Sequence, residues 1–169
     1  QTLAAAIGQD NNQFTPLQLA NYIATLVNGG DHWSAHLLKS VKSSDFSQVV
    51  YQQEGELLNA IDIQPENLEA VKAGMLELTE TGSLARYFRD LDVKVGAKTG
   101  SAQVSADSES NALLVCFAPY EDPEVAIAVV VEKGGSGSEL GAIAADILTY
   151  YFNASNTMET VETEQTLIR

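Results

Sequence analysis

Apolar positions first recur at helical spacing in "TPLQLANYIATLVNGG", where Leu17, Leu19, Ala20, Ile23, Ala24 and Val27 make one stripe. Thr15 suits the N-cap, Pro16 the first helical position, and Gly29-Gly30 ends the pattern. A second helix is expected from Pro65 to about Glu80. It has proline and an acid in its first turn, and Leu68, Val71, Met75 and Leu78 on one face. Between the two helices, Asp31 to Ala60 is polar and irregular, with one strand expected near Val49-Val50-Tyr51. The stretch "TGSLARYF" reads as a turn and a short helix. Three strand-like runs follow, Val93–Val104, Asn111–Ala118 and Val125–Glu132, and Tyr120-Glu121-Asp122-Pro123 makes a natural hairpin turn between the last two. The glycine-rich "KGGSGSELG" then leads into "ELGAIAADILTYYF", a helix bulky enough to cover one face of a sheet. From Asn153 the sequence is polar and acidic, and residues 153–169 are expected to form a frayed tail. The fold class is α+β: an antiparallel three-stranded sheet with helices packed on it.

Composition narrows the partners. The 169 residues are 45% apolar, enough for a real core, and carry 9 basic against 23 acidic side chains, a net charge of −14. Such a field repels phosphate backbones and anionic lipid, so no nucleic-acid partner is expected. Cys116 is the only cysteine, which excludes an internal disulfide. It lies in the apolar run Leu113 to Phe117 and reads as a buried small hydrophobe. No window approaches the roughly 18 consecutive apolar residues that span a bilayer. The chain opens on Gln1 in helix-like sequence, which reads as a cut inside a longer protein, so the absence of a leader says little about location.

Most candidate sites dissolve under their own requirements. A dinucleotide loop at Gly135, Gly137 and Gly141 would need a further parallel strand ending in an acid, and a polar tail follows instead, so the loop reads as a flexible sheet-to-helix connection. His32 and His36 are four apart, but Trp33 stands where a metalloprotease needs glutamate, and no third ligand presents itself. The scattered carboxylates show no catalytic pair. No metal and no cofactor are expected.

Lys98-Thr99-Gly100-Ser101 is different, because it places an ammonium, two hydroxyls and a glycine inside a strand-patterned run. A glycine there suggests close approach of a ligand or another backbone. An edge strand offers backbone N–H groups to an extended peptide or an oxyanion, and an ammonium with two hydroxyls beside it suits a carboxylate. The chemistry alone is shared by a solvated strand end and a substrate-binding edge.

Four ordered blocks, "IGQ…FTPLQLANYIATLVNGG", "GMLELTETGSLA", "VGAKTGSAQV" and "FAPYEDPEVAIAVVVE", closely resemble the C-terminal part of a penicillin-binding protein transpeptidase domain of the class B, monofunctional type. The resemblance covers roughly Ala6 to Phe152, so residues 1–152 would be the domain portion and 153–169 the tail. It implies a five-stranded sheet of which three strands are present here. It also implies peptidoglycan cross-linking on the extracytoplasmic face of the bacterial membrane, through a serine acyl-enzyme that β-lactams also form. Lys98, Thr99 and Gly100 match the family's K-[ST]-G motif. Lys98 would then bring positive potential and hydrogen bonds to the nucleophile's network. Thr99 and Ser101 would hold the substrate or antibiotic carboxylate, Gly100 would admit the substrate, and the Ser101 backbone N–H would supply half of an oxyanion hole.

The departures are as informative. Ser34, Ser40, Ser43 and Ser44 all lack a lysine three residues on, so the family's S-x-x-K motif is absent, and with it the nucleophile. The S-x-N motif is absent too, since "SESN" at 108–111 has the wrong spacing and follows the third motif. The resemblance thus implies one wall of an active site, inactive alone, completed by the missing N-terminal part of the domain or a second copy of the chain. It implies an open apolar edge on the last strand. A non-enzymatic β-lactam sensor or scaffold of the same fold is the alternative.

Overall fold

The computed structural model describes residues 13–103 and 108–165, with 154–165 as backbone alone. Helix α1 (Pro16–Val27) starts where the capping signals place it: Thr15 Oγ1 accepts from Gln18 N at 3.2 Å, and Gln18 Oε1 accepts from Thr15 N at 2.9 Å. Its exit needs glycine. Gly30 has φ +109, and a Cβ there would stand 2.1 Å from the Ile61 carbonyl oxygen.

An arm follows, built of four short strands in two antiparallel ribbons: β1 (Asp31–Trp33) with β4 (Leu57–Ala60), and β2 (Ser40–Lys42) with β3 (Val49–Gln52). Only β3 was legible beforehand. The ribbons each contain a register shift, and β3 and β4 are exposed along their length, so no apolar alternation marks them.

Helix α2 (Pro65–Glu80) and the short α3 (Ala85–Phe88) lead to the central sheet of β5 (Gly96–Ala102), β6 (Asn111–Ala118) and β7 (Val125–Val131), in that spatial order and antiparallel throughout. A 3₁₀ turn (Gly137–Leu140) runs into α4 (Gly141–Gln165). Both sheet faces are covered. On one, Ala97, Ala112, Leu114 and Cys116 pack with Leu84, Phe88, Leu140, Ala144 and Leu148. On the other, Phe117 meets Ile23 of α1 and Met75 of α2. Each fully buried Leu or Phe here contributes roughly 1.5–3 kcal/mol.

Two boundaries differ from expectation. The ladder of β5 opens at Gly96 rather than Val93, because the Val95 carbonyl is taken by Thr79 of α2 (2.5 Å), and Val104 lies outside the described residues. Helical backbone also runs on to Gln165, across much of the segment expected to fray, since neither glycine nor proline occurs after Gly141 to stop it. Among the described residues no strand pairs with the outer edges of β5 or β7.

Candidate active site

The pleat of β5 sorts its side chains. Ala97 points into the core beneath α4, so Thr99 and Ser101 share that face, while Lys98 and Gly100 belong to the α1–α2 face. Lys98 therefore does not share a face with the two hydroxyls. Thr99 is half-buried, and Lys98, Gly100 and Ser101 are exposed.

Lys98 lines an open cleft of about 520 Å³ between α1, α2 and the sheet, with Tyr22, Ile23, Leu26, Val71, Met75 and Val115 around it. Among the described residues it is the only charged side chain of that lining. Its Nζ donates to the Thr99 carbonyl at 2.5 Å, and among the described residues no carboxylate comes within ion-pair distance of it.

The two glycines of the strand have different causes. A Cβ on Gly96 would stand 2.3 Å from the Phe117 ring, so internal packing requires glycine there. On Gly100 a Cβ would meet nothing nearer than Leu113 Cβ at 3.6 Å, an ordinary contact. Among the described residues, no contact demands a bare backbone at Gly100.

The start of β5 is clamped by contacts that the sequence did not announce. Thr79 Oγ1 donates to Val95 O, Lys94 pairs with Glu80 at 3.3 Å, and Tyr120 N donates to Lys94 O at 2.9 Å. Lys72, buried on α2, sits 4.9 Å over the Tyr120 ring. The cleft and Thr79 join residues far apart in sequence, and no local pattern signals either.

The other candidates come apart. His32 lies on β1 and His36 in the loop beyond it, not on one helical turn, and no group of three potential metal ligands occurs among the described residues. Cys116 is fully buried, and burial pushes its thiol up to about 12, so it is no nucleophile at neutral pH.

Comparison with known proteins identifies the family of the chain. Residues 1–149 match the penicillin binding protein transpeptidase domain family. The chain is similar to penicillin-binding protein 2A of Bacillus subtilis (strain 168), at 32% identity over 95% of this chain and 25% of that protein. It is likewise similar to peptidoglycan D,D-transpeptidase MrdA of Escherichia coli (strain K12), at 32% identity over 92% of this chain and 27% of the other. Penicillin-binding protein A from M. tuberculosis, solved as an imipenem acyl-enzyme complex, superposes with a TM-score of 0.70 at 26% identity, covering 85% of this chain and 33% of that one. The chain spans about a quarter of the length of the two curated relatives. With the match running through the helices, the arm and all three sheet strands, the chain belongs to the penicillin-binding protein transpeptidase domain family.

Proposed function

We propose that residues 1–152 are the C-terminal part of the transpeptidase domain of a class B peptidoglycan D,D-transpeptidase, working on the extracytoplasmic face of the bacterial membrane. The observation that carries this reading is the Lys98 ammonium at an apolar cleft, on a strand whose Gly100 meets, among the described residues, no contact that requires a bare backbone. In the complete domain a serine hydroxyl from outside this chain attacks the carbonyl of the penultimate D-alanine of a stem peptide. The peptide bond to the terminal D-alanine breaks, that residue leaves with a proton on its amine, and an ester to the serine remains. The amine of a neighbouring peptide then displaces the serine. A β-lactam follows the first step, and its opened ring stays attached.

This chain's part is to bind and orient. Lys98 stabilises the hydroxyl network around the serine, and Thr99 and Ser101 hold the substrate or β-lactam carboxylate. The Ser101 N–H donates to the oxyanion as it forms. Positioning of this kind cannot replace a nucleophile, so the chain alone is inactive. Fluorescent penicillin followed by denaturing electrophoresis tests both halves. The full-length protein should carry a stable covalent label and the isolated chain none. A labelled isolated chain, or an unlabelled full-length protein, contradicts the reading.

A further inference from the structure

The glycine-rich connection "KGGSGSELG" is more than a flexible join. Gly137, the first residue of the 3₁₀ turn, is buried. A Cβ on it would stand 2.3 Å from the Leu113 carbonyl oxygen, 2.5 Å from the Gly100 carbonyl oxygen and 3.1 Å from Gly100 N. All three are backbone atoms, and Gly100 and Leu113 face each other across the β5–β6 ladder. The turn therefore bears directly on the ladder at the one residue of β5 whose bareness the core does not explain.

The turn is itself anchored from several sides. Ser136 Oγ accepts from Ser138 N at 3.3 Å and caps it, and Leu140 is buried in the core under α4. Glu139 accepts from Arg86 Nη2 at 3.0 Å and from the Tyr87 hydroxyl at 3.1 Å, which ties the turn to α3. On its outer side β5 has no strand partner among the described residues. An edge strand held by one ladder can twist and breathe, and a rigid backbone contact at mid-strand limits that motion.

We propose that Gly137 is a positioning residue: the 3₁₀ turn is a backstop that fixes the Gly100-Ser101 backbone of β5 at the height needed for acylation. The catalytic meaning rests on the transpeptidase reading above; the mechanical one does not. Glycine is required because any side chain would displace the strand it is meant to hold.

The test uses the full-length protein carrying Gly137→Ala, with hydrogen exchange of the peptide spanning Gly96–Ala102 and the rate of acylation by fluorescent penicillin as readouts. Exchange in that peptide should quicken about tenfold and acylation should slow about tenfold. Gly82→Ala is the control for a merely structural glycine, since its Cβ would meet Leu78 backbone at 2.8 Å at the end of α2. It should leave both readouts within about twofold. Ser136→Ala, which loosens the turn without adding bulk, should quicken exchange about two- to threefold. Unchanged exchange over Gly96–Ala102 in Gly137→Ala overturns the proposal; where that variant does not fold, unchanged exchange in Ser136→Ala does so. Faster exchange in a protein whose wild type takes no label upholds the backstop and removes the transpeptidase reading instead.

Discussion

Strands β6 and β3 are both rich in apolar residues, yet they have opposite fates. β6, "NALLVCFA", is buried at Ala112, Leu114, Cys116, Phe117 and Ala118, whereas β3, "VVYQ", is exposed at every position. The cause is layering. β6 has a strand on each side and helices over both faces, while β3 has one partner and no helix against it among the described residues. A two-stranded ribbon cannot bury apolar side chains by itself. The central sheet is thus the part of the chain that supplies its own stability, and the arm leaves Phe46, Val49 and Val50 in solvent. Residue type decides how much can be gained by burial; the number of covering layers decides whether it is gained.

The largest test of that contrast sets Leu148→Ala in α4 against Val50→Ala in β3. Leu148 is fully buried, so its truncation should cost about 2–5 kcal/mol and lower the thermal midpoint of the domain by on the order of 10 °C. Val50 is 68% exposed, and its truncation should stay within about 0.5 kcal/mol. Equal shifts would mean that the arm is covered as well as the sheet.

A smaller effect sharpens how α2 holds the sheet. Thr79→Val keeps the shape but leaves the buried Val95 carbonyl without its donor, which should cost about 1–3 kcal/mol, with Thr79→Ser recovering most of it. A valine variant as stable as wild type would show that the clamp at the start of β5 contributes nothing.

The smallest belongs to the arm. Asp45 accepts from Ser43 Oγ at 2.5 Å, from Ser47 N at 3.1 Å and from Ser47 Oγ at 2.8 Å, next to Phe46 at φ +59. Those bonds, the Ser43 hydroxyl first, hold its carboxyl at about 2, below the usual 3.8. A folded-state value below the unfolded one favours the folded turn above about pH 4, and that preference is lost as pH falls from about 4 towards 2. The Ser47 amide resonance should titrate with a midpoint near 2. A midpoint near 3.8 would mean the turn is not held by the carboxylate.

The same contrast explains what the sequence disclosed. Thr15, Pro16 and Pro65 placed helices α1 and α2 because capping and proline act within a turn of the chain. β6 was legible in full because alternate residues are buried by the layers on its two faces. The arm was largely hidden, since strands of three or four residues with register shifts leave no periodicity. At the site, Lys98, Thr99, Gly100 and Ser101 stood out as one run. Thr79 and Gly137 did not, because their roles exist only once α2 and the 3₁₀ turn reach β5 from distant positions. The glycine-rich loop drew notice for its composition, but only the close approach to Gly100 distinguishes a backstop from a hinge.

The proposed wall of the acylation site is the Lys98-to-Ser101 edge of β5. The most direct measurement is the rate at which a fluorescent penicillin acylates the full-length protein with Lys98→Met, against Lys39→Met in the arm. Removing the Lys98 charge from the cleft lining should slow acylation on the order of a hundredfold, and the arm substitution should leave it unchanged. Equal rates in the two variants, with both proteins folded, would contradict the account.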